Sequence, residues 1–414
     1  MTEMRIRSLL RRGWRPLLAL AWVAFATSIT LEPLDFRWQR LDRLADLCLI
    51  CGTRGSADAV LNLLLFVPLG FLVASRGRRP AVGLLVGLGV SSLIEGSQLF
   101  LAGRHAGLSD LVWNSSGAFV GALLWRAFEA RVTEGDGRAV LGAAGFVAVA
   151  LTVGGSLLVP WQTDADYWGQ WMPDLGSMSQ YRGEVLEASL NDQPFPSYRL
   201  PAEPPHRRLL EVPWELAGTI VAGGAPRSVS PILSIYDRNR QEIFLLAAHR
   251  TDLIYRERTL ARALRFDSPD MRILGGFSDV QIGDTVTVSA TRGEELCLRV
   301  EDLERCGVGV TPGRSWGLLF YLEGPSEWFR RTLDFLWLVG LFVPIGFFST
   351  GMRGWSMGAG IGLGGLGAAV LVTPMVTPGL AEIVACICGL GMGALTARVF
   401  EWVADKPTGL TESV

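Results

Sequence analysis

The sequence predicts a polytopic α-helical membrane protein that carries one inserted β-domain. Three observations predict it. Only 19% of the 414 residues are charged and 49 are glycine, with a formal net charge of -2 and a mean hydropathy of +0.31; that balance fits a membrane class rather than a soluble globular one. The apolar residues gather in runs near the ~20 residues a helix needs to cross the hydrocarbon core. The stretch 161–330 departs from this pattern and has the charge and turn content of a soluble domain. The near-neutral balance gives no ground for a nucleic-acid partner; the expected partner is the lipid bilayer.

Eight transmembrane spans follow in order: 15–31, 58–75, 80–100, 108–126, 139–160, 331–349, 355–373 and 380–402. Arg5, Arg7, Arg11 and Arg12 precede the first and Arg15 begins it, a layout shared with signal peptides. Ala26-Thr27-Ser28 is a poor cleavage site and Pro16–Leu31 is nearly long enough to span, so an uncleaved helix is expected. The positive-inside rule puts the joints 76–79 (RGRR), 126–138 (Arg126, Arg131, Arg138) and 350–354 (Arg353) in the cytoplasm. Both termini then lie inside a cytoplasmic (inner) membrane, and 161–330 lies outside it. Arg37, Arg40, Arg43 and Arg54 run against the rule in the first outer segment. The expected domains are 1–57 (first helix and outer loop), 58–130 (a three-helix unit), 131–160 (fifth helix), 161–330 (extracytoplasmic β-domain), 331–403 (a second three-helix unit) and 404–414 (cytoplasmic tail).

The unit 58–130 carries polar groups that an inert anchor does not need. Asp58 and Asn62 are spaced i,i+4, as are Asp110 and Asn114, and Glu95 and Gln98 are spaced i,i+3; each pair shares a helix face. Asp58 and Asp110 begin inward-running helices, while Glu95 and Gln98 end an outward-running one. Arg104 and His105 lie in the joint. All these groups fall in the outer third of the membrane, where ionisable residues mark function by default. A helix-dipole role explains Asp58 and Asp110 equally well. Glu95, near a helix C-terminus, has no such explanation.

An internal repeat accompanies this unit. Phe66-Val67-Pro68 with Gly70-Phe71 recurs as Phe342-Val343-Pro344 with Gly346-Phe347. Asp110, Gly117 and Gly121 recur as Glu382, Gly389 and Gly393, and the register holds to Phe128-Glu129 and Phe400-Glu401. The copies have the same membrane orientation, as in parallel-repeat folds. The second has Cys386 in place of Asn114, nothing matching Arg104, and apolar residues in place of Glu95 and Gln98. It reads as a packing partner, and the first as the site.

The set Asn62, Phe66, Pro68, Gly70, then Glu95 and Gln98, then Arg104, Asp110, Asn114, Gly117 and Gly121 resembles the VanZ-like family of membrane proteins over about residues 45–130. That resemblance implies a cell-envelope membrane protein and a link to resistance against the glycopeptide antibiotic teicoplanin. It carries no catalytic role. The degenerate second unit and the inserted domain depart from the family's short members.

Within 161–330, the runs VSPILSIYD, EIFLLAAH, DTVTVSAT, EELCLRVED, RCGVGV and SWGLLFYLE alternate with turns and predict an antiparallel β-sandwich. Their order weakly resembles laminin-G or concanavalin-like folds. Trp161, Tyr167, Trp168 and Trp171 read as an interfacial belt or a sugar-stacking surface, and Trp328 and Phe329 as the matching anchor before the sixth span. Cys297 and Cys306 flank a turn at Glu301-Asp302 and are disulfide candidates outside the membrane. So are Cys48 and Cys51. No metal site and no cofactor are expected, since no further ligands stand near these cysteines.

Three functions compete. Asn62, Glu95, Gln98, Arg104, Asp110 and Asn114 could bind an extracytoplasmic lipid-linked or glycan ligand. Glu95 and Asp110 could serve as acid and base on a lipid-linked envelope precursor. Transport is favoured by the repeat and disfavoured by the one-sided placement of the polar groups. The binding reading leads, because the sequence has no nucleophile elbow, phosphate loop or zinc motif.

Overall fold

The computed structural model describes residues 2–32, 50, 52–101, 106–134, 138–162, 166–175, 178–200, 213–321, 326–349 and 351–404. The chain forms two compact units, Met1–Ala139 and Val140–Val414.

The first unit contains α1 (Thr2–Leu31), α2 (Gly55–Ala74), α3 (Pro80–Gln98) and α4 (Leu108–Glu134). Proline at the first turn of α3 costs no hydrogen bond there. α4 packs against α2 and α3 through small residues. A Cβ on Gly70 would fall 1.7 Å from the Ala118 carbonyl oxygen, and one on Gly117 would fall 2.1 Å from that of Leu63. Gly121 meets the Val67 carbonyl in the same way. Such close backbone approach is the membrane substitute for a hydrophobic drive between helices. α1 joins through the Trp22 indole N–H, which donates to the Leu65 carbonyl at 2.8 Å.

The second unit opens with α5 (Arg138–Ser156). The chain then turns, and Pro160 bridges to Thr259 instead of continuing the helix. The β-domain follows: β1 (Tyr167–Trp171), β2 (Glu184–Leu190), β3 (Gln193–Pro194), β4 (Trp214–Val221), β5 (Ser230–Asp237), β6 (Glu242–His249), β7 (Asp252–Glu257), the short α6 (Leu260–Ala263), β8 (Met271–Ile273), β9 (Thr285–Arg292), β10 (Leu296–Val300) and β11 (Leu303–Arg305). α7 (Glu327–Phe348), α8 (Gly351–Val372) and α9 (Leu380–Ala404) close the chain.

The strands form a five-stranded sheet, β1-β5-β6-β7-β8, and a six-stranded sheet, β11-β10-β9-β4-β2-β3. One apolar core draws on both, with Trp214, Leu216, Ile220, Val288 and Leu298 from one sheet and Leu233, Ile235, Phe244, Leu246 and Tyr255 from the other. β4 alternates buried and open positions because only one of its faces meets that core. β5 and β6 are buried almost throughout; on β6, Leu245 and Ala247 of the second face pack with Leu175, Met178 and Tyr321. Cys297 and Cys306 are joined by a disulfide across the hairpin whose two-residue loop is Glu301-Asp302.

Two of the expected runs are not strands. RCGVGV contributes only Arg305 to β11, and SWGLLFYLE begins inside a 3-10 turn at Pro312–Leu318. That segment packs on α7 and α9 rather than in a sheet: Trp316 donates its indole N–H to Asp334, and Thr311 bonds Glu382. Trp168 and Trp171, read as a belt, lie in β1. Strands β1, β2, β3, β4, β7 and β8 are additions to the expected set. Charged residues disguise β7, where Arg256 donates to Asp270 at 2.7 Å and Glu257 pairs with Arg292.

Asp270 gives this ion network a pH signature. Burial alone would raise its pKa, but the Arg256 and Arg272 guanidiniums outweigh burial and hold it below the ordinary aspartate value. A carboxylate with a depressed folded pKa adds stability above its unfolded value, near about 3.9, and loses it as pH falls through the folded value. The gap in melting temperature between wild type and Asp270→Asn is therefore expected to stay constant from neutral pH to about 5 and to shrink below about 3.9. Thermal melts across that range check it; a gap that does not change in acid would contradict it.

Among the described residues six helices, α2, α3, α5, α7, α8 and α9, are long and apolar enough to cross a membrane. The apolar part of α1 is the shorter Pro16–Leu31. α4 is diluted by the polar residues of the candidate site. Large apolar side chains point outward from these helices, Leu93 at 74% and Leu371 at 86% exposure, a pattern that suits lipid and not water.

Candidate functional site

The polar residues of the first unit collect at one end of its helices: the start of α2, the end of α3 and the start of α4. Asn62 donates its Nδ2 to Asp110 Oδ1 at 2.8 Å, and Ser109 Oγ donates to the same oxygen at 3.1 Å. Among the described residues no donor reaches Asp110 Oδ2. Glu95 is buried, and its Oε2 accepts the Gly107 backbone N–H at 2.8 Å. These bonds offset part of the cost of holding carboxylates away from water.

The remaining members divide. Asn114, buried, donates its Nδ2 to Ser91 Oγ at 2.9 Å, and Ser91 Oγ reaches the Asp110 carbonyl at 3.4 Å. Asn114 Oδ1 is buried with no hydrogen-bond partner among the described residues. Gln98 turns away to α1, where its Nε2 donates to the Thr30 carbonyl at 3.3 Å. Asp58 is exposed on the first turn of α2, close enough to Asp110 for the two charges to interact. Asp110 and Glu95 are also electrostatic neighbours. Arg104 and His105, like Cys48 and Cys51, lie outside the described residues.

Sequence reasoning missed Ser91, Ser109, Gly107 and Thr30. Ser91 was legible, standing one turn before Glu95 on the same face. The Gly107 amide and the Thr30 carbonyl carry no side-chain signal. The arrangement offers carboxylate and amide acceptors with open positions, so it can receive a hydrogen-bond donor or a cation. Among the described residues only Cys297, Glu304 and Cys306 bring three potential metal-ligand atoms together, and two of those atoms are disulfide sulfurs, not thiolates.

A second carboxylate pair stands in α7 and α9. Asp334 lies in α7 and Glu382 in α9. Asp334 accepts the Trp316 indole N–H at 2.8 Å and Arg314 Nε at 3.4 Å. Glu382 Oε1 accepts the Thr311 hydroxyl, and among the described residues its buried Oε2 has no hydrogen-bond partner. The segment is braced by Trp337, whose indole donates to Ser315 Oγ at 2.9 Å. Asp334 and Glu382 are both buried.

No curated protein and no solved structure matches the chain. Residues 15–129 match the family model described as VanZ/LLP1. The matched segment runs from the apolar part of α1 almost to the end of α4 and contains Asn62, Glu95, Gln98, Asp110 and Asn114. Over that segment, and not over the rest of the chain, the sequence is similar to the VanZ-like family.

Proposed function

We propose that this chain is a multi-pass protein of the cytoplasmic membrane whose first helical unit binds an extracytoplasmic lipid-linked or glycan ligand. Asn62, Glu95, Gln98, Asp110 and Asn114 form the site, with Arg104 in the adjoining joint. The observation that carries this reading is the polar cluster itself: carboxylates and amides at one end of apolar helices, with Asn62 bonded to Asp110 and Asn114 Oδ1 buried without a partner among the described residues. The basic joint 76–79 supports placing the opposite helix ends in the cytoplasm. The Cys297–Cys306 disulfide supports an oxidising, extracytoplasmic location for the β-domain.

The chain contains two parallel three-helix units within an eight-span topology; in support, Gly346 and Gly389 press on the Leu390 and Val339 carbonyls at the positions where Gly70 and Gly117 press on Ala118 and Leu63. The β-domain, read as laminin-G or concanavalin-like, adds a sugar contact. Its support is a cavity of about 430 Å³ lined by Asp166, Arg199 and Arg240 beside the stacked rings of Trp168 and Tyr236, 6.0 Å apart.

The test is Glu95→Gln with Asp110→Asn in cells carrying the inserted protein. Losing a hydrogen bond to a charged group costs about 1.5–3 kcal/mol, roughly a ten- to hundredfold loss of affinity. Sensitivity to teicoplanin-type antibiotics is expected to rise to that of a deletion strain. Unchanged sensitivity would defeat the resistance role. Turnover of a lipid-linked precursor that disappears in either single variant would replace binding with acid–base catalysis by Glu95 and Asp110.

A further inference from the structure

Three neighbouring backbones at one edge of the five-stranded sheet bring unlike side chains into a row. Arg199 bridges to Trp168, and Trp168 pairs with Tyr236 across β1 and β5. Cross-strand partners stand on the same face of a sheet. Tyr167 and Ile235 belong to the core shared by the two sheets, so their strand neighbours Trp168 and Tyr236 face away from it. The two rings lie 6.0 Å apart at an interplanar angle of 16°. They line the cavity of about 430 Å³ together with Asp166, Arg199, Asp237, Arg238 and Arg240.

The charges around this cavity are not balanced. Asp166 pairs with Arg199 at 2.8 Å. Asp237 is buried and engaged on both oxygens. Its Oδ2 accepts the buried Arg258 guanidinium at 2.9 Å, and its Oδ1 accepts the backbone N–H groups of Asn239 and Gln241, each at 2.9 Å. Arg238 and Arg240 are exposed, and neither has an ion-pair partner among the described residues. Two arginines on a hairpin loop are ordinarily solvated charges. These two sit on a loop fixed from beneath by a buried carboxylate, and they share a cavity with an aromatic wall. Donors held in place in this way lose less freedom when a ligand arrives.

Resting on the sugar contact proposed for the β-domain, we infer that this cavity takes a saccharide bearing an anionic group, a carboxylate or a phosphate ester. The apolar C–H face of the sugar ring lies against Trp168 and Tyr236, an aromatic wall beside a few polar groups being the usual lining of a small-ligand site. The anion meets Arg238 and Arg240, whose planar guanidiniums match carboxylate and phosphate oxygens alike. A neutral sugar gains the ring contact alone.

The probes are fluorescein conjugates of oligogalacturonate, of the same oligomer as its methyl ester, of mannose phosphate and of mannose, titrated by anisotropy against the full chain in detergent micelles. The acid or the phosphate is expected to bind saturably and roughly tenfold or more tightly than its uncharged twin, as a hydrogen bond to a charged group implies. Whichever of the two binds names the source of the anion. Arg238→Gln and Arg240→Gly should each weaken that binding by a similar factor, and Trp168→Ala should weaken it too. Arg240 has φ 57°, a left-handed conformation that glycine adopts freely, so Arg240→Gly removes the charge without straining the fold. Arg305→Gln, on β11 of the other sheet, should change nothing. If the uncharged twins bind as well as the anionic probes, the sugar contact stands and the inference falls. If no probe binds, the inference falls together with the sugar contact. Binding indifferent to both arginine variants would overturn the inference. So would binding that inorganic phosphate displaces and Trp168→Ala leaves unchanged, since that is an anion site without sugar recognition.

Discussion

Gly70→Val is expected to abolish monodisperse, folded protein. The new Cβ would fall 1.7 Å from the Ala118 carbonyl oxygen, 2.5 Å from its carbonyl carbon and 2.7 Å from its Cα. All three are backbone atoms of α4, so no side-chain rotation relieves the clash. Over-packing a core usually costs about 1–3 kcal/mol; here two helix backbones must separate, and the loss should exceed that range. Separation also pulls Asn62 from Asp110, since the same helix pair carries both. Gly89→Val is the matched control, because nothing lies within 4 Å of its Cβ position. Size-exclusion profiles and thermal melts in mild detergent compare the two. Equal behaviour of the variants would mean that α2 and α4 do not pack this closely.

Gly313→Val should dislodge the 311–318 segment from α7 and α9. Its Cβ would meet Glu382 Oε1 at 2.4 Å and the Glu382 carboxyl carbon at 2.7 Å. Once the turn lifts, Glu382 and Asp334 lose Thr311, Arg314 and Trp316 together. Stranding a buried charge by removing its partner costs about 3–5 kcal/mol, so a clear fall in melting temperature is expected. Gly293→Val, where a Cβ meets nothing within 4 Å, should melt like the wild type. Adding Glu382→Gln to Gly313→Val should recover part of the loss, because a neutral amide is cheaper to leave unpaired. That coupling would appear as non-additivity in a double-mutant cycle. Additive effects would show that the turn and Glu382 do not act as a unit.

The legible part of the site was the part encoded in spacing. Asn62, Asp110 and Asn114 could be placed on facing helix ends because i,i+4 pairs share a face, and the structure brings Asn62 to Asp110 directly. Gln98 shows the limit. Its spacing from Glu95 puts both on neighbouring parts of one face, yet Gln98 bonds α1 and Glu95 bonds Gly107. Periodicity orients a residue on its own helix and does not say which neighbour stands opposite. In the β-domain, alternating strands such as β9 were readable. β7 was not, since its Arg256 and Glu257 look solvent-facing until Asp270 and Arg292 are brought beside them.

The sequence by itself determined the class of this protein: apolar helices, an inserted β-rich domain, VanZ-like residues, and glycines where helices must touch. Those follow from composition and local periodicity, which act through a few neighbouring residues. The fates of Asp58 and Asp334 were decided only by tertiary structure. Both are aspartates of apolar helices, yet Asp58 is exposed and Asp334 is buried under a peptide turn. Its two ion-pairing ends, Arg314 and Asp334, are 20 residues apart in the chain, and Thr311 and Glu382 are 71 apart. Whether an acidic side chain is an open acceptor or a filled socket depends on what the rest of the fold lays across it, and no local pattern around the carboxylate records that.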